Sequence, residues 1–214
     1  MSVIVFVGDS ITDSDRRTDR AGLGYGYVDL VARELRARGD ESTVVNAGVA
    51  GNRVAHLQQR WSTDVLERRP SVLSIYIGVN DTLAAFFEGR PTPPAVFEER
   101  YRDLLDRSVA AGVGRFVLVE PFFVDTEIPS VRWGEGAAFI HEDLAPKQAI
   151  VADLAARYGA ALVTLQSRVD ALAAERGPTM VAADGVHPTP LGHQLIADAW
   201  LAAYDSRSPS SASA

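Results

Sequence analysis

Val3-Ile4-Val5-Phe6-Val7, followed at once by Gly8-Asp9-Ser10-Ile11-Thr12, is the stretch whose reading decides the fold. An unbroken run of β-branched and aromatic residues predicts a strand buried on both faces, as in a parallel sheet. The small polar residues after it predict that the chain leaves the core just before Ser10. Open α/β sheets place their ligands beyond the carboxyl ends of their strands. Ser10 therefore stands where such a fold puts its chemistry.

Outward from that strand, the same alternation repeats. A polar loop and the glycine-rich Gly22-Leu23-Gly24-Tyr25-Gly26 lead into a helix over 27–38, with Val28, Val31 and Leu35 on one face and Gly39 as its stop. Thr43-Val44-Val45-Asn46 is a second strand. The turn Ala47-Gly48-Val49-Ala50-Gly51-Asn52 enters a helix expected to reach Arg69, where Pro70 ends it. Val72-Leu73-Ser74-Ile75-Tyr76-Ile77 is a third strand, followed by Gly78-Val79-Asn80-Asp81 and a proline-rich loop at 91–94. A helix to about Ala111 precedes the fourth strand, Phe116-Val117-Leu118-Val119. A helix over 137–158 carries Pro146, which should bend or interrupt it. Strand five covers 161–164, a helix ends near Arg176, a loop carries Asp184 to Pro190, and a last helix begins near Gly192.

Alternation of this kind predicts a five-stranded parallel sheet with helices on both faces. Residues 1–205 read as one domain and 206–214, rich in serine, as a flexible tail. Ser10, Gly51 and Asn80 follow strands one, two and three, so all three belong at the same carboxyl edge.

Composition narrows the function. The chain has 214 residues, 47% of them hydrophobic, which suits one domain with a sizeable core. A net charge of −7 without a basic block argues against a nucleic-acid partner. The absence of cysteine excludes thiolate metal sites and a cysteine nucleophile. No apolar run has the length of a membrane span. The first residues lack a basic segment leading into an apolar one, so a cytoplasmic location is the expectation.

A serine hydroxyl needs a base before it attacks. Of His56, His141, His187 and His193, only His187 has a carboxylate at a suitable spacing, in Asp184-Gly185-Val186-His187-Pro188. Asp184 can fold back to Nδ1–H, fix the tautomer and leave Nε2 to take the Ser10 proton. Taken alone, a D-x-x-H is more often a surface loop with a helix-capping residue. His193 reads as structural or exposed, and His56 and His141 as packing or surface residues. Acyl transfer also needs donors for the developing oxyanion. The Ser10 N–H, the Gly51 N–H and the Asn80 amide are the candidates, with Gly48 competing for the second place. Taken singly, Gly51 reads as a turn glycine and Asn80-Asp81 as a helix cap.

Together these residues resemble the SGNH hydrolase superfamily, the GDSL-type esterases and lipases. Gly8-Asp9-Ser10-Ile11-Thr12, the segment opened by Asn46 and closed by Gly51, Gly78-Val79-Asn80-Asp81, and Asp184-Gly185-Val186-His187-Pro188 match four of its blocks in order. The resemblance implies a flavodoxin-like three-layer α/β/α sandwich. It implies Ser10 as nucleophile, His187 as base, Asp184 as orienter, and an oxyanion hole from Ser10, Gly51 and Asn80. Gly51 is preferred to Gly48 by its spacing from Asn46. Gly24-Tyr25-Gly26-Tyr27-Val28, Arg60-Trp61 and Glu120-Pro121-Phe122-Phe123 are similar to bacterial intracellular acetylxylan esterases. That implies deacetylation of short xylo-oligosaccharides, with no cofactor and no metal. Where that group has an aromatic before the catalytic aspartate, this chain has Ala183.

Asp9, Phe122 and Trp133 are candidate substrate-binding residues, Phe122, Phe123 and Trp133 as an aromatic wall or as core. The expected partner is a small ester or an acetylated oligosaccharide. A homo-oligomer stays open, since Arg60-Trp61 would anchor a second copy if Trp61 were exposed and would belong to the core if not. Rival readings are a metallophosphoesterase, a non-catalytic carbohydrate-binding protein on the same fold, and a lipase, lysophospholipase or thioesterase with the same mechanism.

Overall fold

The structure is a computed structural model, and it describes residues 2–126 and 136–206. Strands β1 (Val3–Gly8), β2 (Thr43–Gly48), β3 (Val72–Tyr76), β4 (Arg115–Val119) and β5 (Ala161–Val163) form one sheet in the order β2-β1-β3-β4-β5. Every pairing is parallel, and Gly8 lies opposite both Gly48 and Tyr76. This is the flavodoxin-like order, with β3 at the centre of the sheet and β1 between it and the edge strand β2.

Alternation along each strand sends side chains into two cores. Ile4, Phe6, Tyr76, Val117 and Val119 face one core, closed by α2 (Tyr27–Ala37) and α8 (Pro190–Ser206). Val5, Val7, Leu73, Ile75 and Leu118 face the other, closed by α3 (Val54–Asp64), α5 (Pro94–Ala110) and the second half of α6 (Gly136–Arg157). Strands covered on both faces explain why their sequences are continuous apolar runs. Trp61 is 0% exposed and donates from Nε1 to Ser108 Oγ, so it belongs to the core and offers no aromatic anchor for a second copy.

Three elements depart from the expectations. Helix α3 stops at Asp64, and Leu66–Arg68 forms a single tightened turn before Arg69 adopts a left-handed conformation at φ 49°. Pro70 keeps Arg69 from continuing the right-handed helical turn. The segment before the proline-rich loop, where only a helix cap at Asn80-Asp81 was read, contains α4 (Val79–Glu88), which ends on Gly89 at φ 60°. Helix α6 runs unbroken through Pro146. The carbonyl deprived of its partner belongs to exposed Glu142, where water can satisfy it. Helix α7 (Gln166–Arg176) completes the order, and α8 includes Ser206, the first residue assigned to the tail. The rest of that tail lies outside the described residues. No helix among them is long and apolar enough to cross a membrane.

Trp200 joins the layers. It is 0% exposed, donates from Nε1 to Ser74 Oγ at 2.9 Å, stacks on Tyr204 and contacts Phe6. Trp200→Ala opens a cavity and strands the Ser74 hydroxyl. It is expected to cost about 3–5 kcal/mol and lower Tm by about 10 °C. Thermal unfolding followed by circular dichroism checks this, and an unchanged Tm would contradict the assigned packing.

Candidate active site

The carboxyl ends of β1, β2 and β3 converge with the loop before α8. After Gly8 the chain turns sharply into a one-turn helix, α1 (Ser10–Asp13), with Asp9 as its N-cap accepting the Ile11 N–H at 3.0 Å. Asn46 fastens this turn to β2. Its Nδ2 donates to the Thr12 and Leu23 carbonyls, while its Oδ1 accepts from Gly48 N–H. The contact is so close that a Cβ on Gly48 would lie 2.2 Å from the Asp13 nitrogen.

Ser10 Oγ lies 2.9 Å from His187 Nε2, and His187 Nδ1 lies 2.6 Å from Asp184 Oδ2. Asp184 Oδ1 accepts the backbone N–H groups of Val186 at 2.9 Å and His187 at 2.7 Å. The 184–187 loop is docked from below, by burial of Val186 and by the Val124 N–H bonded to the Gly185 carbonyl. An ionised carboxylate only accepts, so Nδ1 carries the proton and Nε2 faces the serine as an acceptor.

Electrostatics agree. Burial works to raise the Asp184 pKa, but the His187 ring N–H and the two backbone bonds outweigh it and hold it at about 2. The bond to Asp184 raises the His187 pKa above its ordinary value, against a smaller opposing effect of burial. Both side chains remain open to solvent, His187 at 55% and Asp184 at 41%, so a substrate can reach them.

The three amides expected to serve as donors follow β1, β2 and β3. Among the described residues no acceptor is bonded to the Ser10 N–H or to the Gly51 N–H. Gly51 is exposed at φ 75°, a left-handed conformation that favours glycine. Asn80, in the first turn of α4, donates one hydrogen of Nδ2 to the Asn52 carbonyl at 3.1 Å, which orients the amide. The Gly48 amide is already committed to Asn46, whereas among the described residues the Gly51 amide has no bonded acceptor.

Other residues fall elsewhere. Asp9 is 1% exposed and Phe122 1%, with Phe123 at 0%, so none of them presents a surface to a substrate. Burial lifts the Asp9 pKa to about 7 against the Ile11 bond. The aromatic pair is reeled into the core because Gln166 bonds both the N–H and the carbonyl of Phe123, and Gln148 holds the Pro121 carbonyl. Trp133 lies outside the described residues. Arg16 donates to the Gly48 carbonyl, so it serves the turn. His193 is buried, which lowers its pKa to about 4, and its neutral Nδ1 accepts the Tyr27 N–H at the start of α2. His56 caps α3 by accepting the Arg53 N–H. His141, which showed no carboxylate at dyad spacing, pairs at 2.8 Å with Asp125, sixteen residues earlier in the chain. Among the described residues no three His, Cys, Asp or Glu side chains gather as a metal site requires.

Comparison with known proteins gives consistent neighbours. The family model for the GDSL-like Lipase/Acylhydrolase family matches residues 6–195. An acetylxylan esterase of Geobacillus stearothermophilus is 31% identical over 211 residues, covering 92% of this chain and 91% of that protein. Among solved structures, LAE5, an alpha/beta hydrolase enzyme from the metagenome of Lake Arreo, superposes with a TM-score of 0.83 at 29% identity, covering 97% of each chain. Axe2, an acetylxylan esterase from Geobacillus stearothermophilus, gives 0.82 at 27% identity, covering 94% of this chain and 93% of its own. Catalytic mutants of Axe2 carry alanine in place of a serine in one case and of an aspartate in another.

Proposed function

Because the chain belongs to the GDSL-like Lipase/Acylhydrolase family, we propose that it hydrolyses short acyl esters of carbohydrates, acetylated xylo-oligosaccharides among them, through an acyl-enzyme on Ser10. That membership and the esterase relative make it a carboxylic ester hydrolase. The observation carrying the mechanism is the unbroken line Asp184–His187–Ser10.

The steps follow from the geometry. Ser10 Oγ attacks the ester carbonyl carbon while Nε2 of His187 takes its proton. The carbonyl oxygen becomes an oxyanion, received by the N–H groups of Ser10 and Gly51 and the remaining hydrogen of Asn80 Nδ2. Collapse breaks the bond to the sugar oxygen, which leaves with the proton from His187. Water then attacks the acyl-enzyme, His187 again taking a proton, and returns Ser10 with release of the acid.

Support for a small acyl group comes from two sides. The relatives from Geobacillus stearothermophilus are acetylxylan esterases. Phe122 and Phe123, the nearest candidates for an acyl-binding wall, are committed to the core. A panel of aryl esters from acetate to dodecanoate, run beside acetylated xylo-oligosaccharides and an acyl-CoA, tests the substrate. The acetate and the oligosaccharide are expected to turn over fastest. Fastest turnover of long chains or of the thioester would replace this reading with the lipase or thioesterase one.

A further inference from the structure

Arg60 was conspicuous beside Trp61, and the chemistry above leaves it without a role. It projects from α3 with a side chain 17% exposed, and its guanidinium spends its donors on the carboxyl edge of the sheet. Nε donates to Asn52 Oδ1 at 2.7 Å. Nη1 donates to the Ala47 carbonyl and to Asp64 Oδ2, both at 2.7 Å, and Nη2 to the Gly8 carbonyl at 3.0 Å.

These acceptors belong to separate segments. Gly8 ends β1, two residues before Ser10. Ala47 lies one residue before the end of β2. Asn52 follows Gly51, and its own carbonyl is the acceptor for Asn80 Nδ2. One planar group thus ties the approach to the nucleophile to the loop that carries the second oxyanion donor. The Val49 N–H, bonded to the Gly8 carbonyl, is the nearest backbone bond between the same segments. Asp64 neutralises the charge from one turn further along α3.

Resting on the acyl-transfer reading above, we propose that Arg60 is a positioning residue that sets the distance between Ser10 and the Gly51 amide by clamping Gly8, Ala47 and Asn52 together. The fixed fork of five donors suits this task, and an ammonium on a flexible stem does not reproduce it. A lost or displaced oxyanion donor costs about 10²–10³ in kcat, and a misplacement near 1 Å about 10².

The test uses Arg60→Met, Arg60→Lys, Asn52→Ala and the Arg60→Met/Asn52→Ala double variant of the full chain. Arg60→Met is expected to lower kcat about 10²-fold with KM nearly unchanged. Arg60→Lys should recover little of that loss. The double variant should fall no lower than Arg60→Met alone, because both changes loosen the same loop. Amide hydrogen exchange over residues 49–53 should accelerate in each variant. Full turnover in Arg60→Lys, independent losses in the double variant, or unchanged exchange over 49–53 would each overturn the clamp. If Arg60→Met fails to fold, the exchange and kcat of Asn52→Ala and Arg60→Lys decide the matter by the same criteria. If the wild type turns over no ester, the acyl-transfer reading fails, while the exchange measurement still shows whether Arg60 holds the loop.

Discussion

Ser10→Ala is expected to lower kcat for an aryl acetate by about 10⁶-fold while leaving the thermal transition where it is in the wild type. The size follows from the way nucleophile, base and orienter act as a unit, so that removing the first leaves the others nothing to activate. What survives is the contribution of the oxyanion donors and of binding, about 10³–10⁴ over water. The structural neutrality follows from the contacts. Among the described residues the Ser10 hydroxyl makes one side-chain hydrogen bond, to solvent-exposed His187, so its loss leaves no buried group there unpaired. The cap of α1 is supplied by Asp9, which the substitution does not touch. A serine-directed phosphonate should add one adduct to the wild type and none to the variant. Equal turnover by the two proteins would remove Ser10 from the mechanism, and an inert wild type that binds acetylated oligosaccharide would favour the non-catalytic reading.

How much of this was legible in the sequence depends on the distance over which each feature acts. The strands announced themselves because a sheet covered on both faces needs unbroken apolar runs. Once their order of alternation with helices was clear, Ser10, Gly51 and Asn80 had to share an edge. His187 and Asp184 were legible because their pairing is local, three residues across one turn. Features that depend on distant partners were hidden. Phe122 reads as a pocket aromatic until Gln148 and Gln166, from two later helices, pull its segment inward. Asn46 and Arg60 bind backbone carbonyls, which carry no signature of residue type. Asp125 and His141 meet across sixteen residues, a pairing that no local spacing announces. Helix α4 was missed for a different reason. Its first turn carries the Asn80 block, whose Asn80-Asp81 reads as a cap, but the apolar run Leu83-Ala84-Ala85-Phe86-Phe87 that continues it is unbroken and shows no amphipathic period.

Asp184→Asn separates orientation from nucleophilicity, and its outcome can be worked out atom by atom. Oδ1 of Asp184 accepts two backbone N–H groups, while Oδ2 faces the ring. An amide at this position keeps its oxygen on the two N–H groups, since its NH₂ cannot accept them. The NH₂ must then face Nδ1, which has to become the acceptor. The ring proton moves to Nε2, and the atom that should take the Ser10 proton is already protonated. A drop of about 10⁴ in kcat is expected from this wrong tautomer. The pH profile supplies the second readout. His187 works as a base only when neutral, so kcat/KM rises with pH through its pKa. In the wild type the Asp184 bond lifts that pKa above 6.5, whereas Asp184 itself, at about 2, stays ionised through the working range and adds no limb. Without the carboxylate the upward influence is lost and burial, which pushes the ring down, remains. The acid limb of the variant should therefore move to lower pH even as its plateau falls. A limb that stays in place, or a loss of less than about tenfold, would show that the Asp184 carboxylate does not hold His187 during turnover.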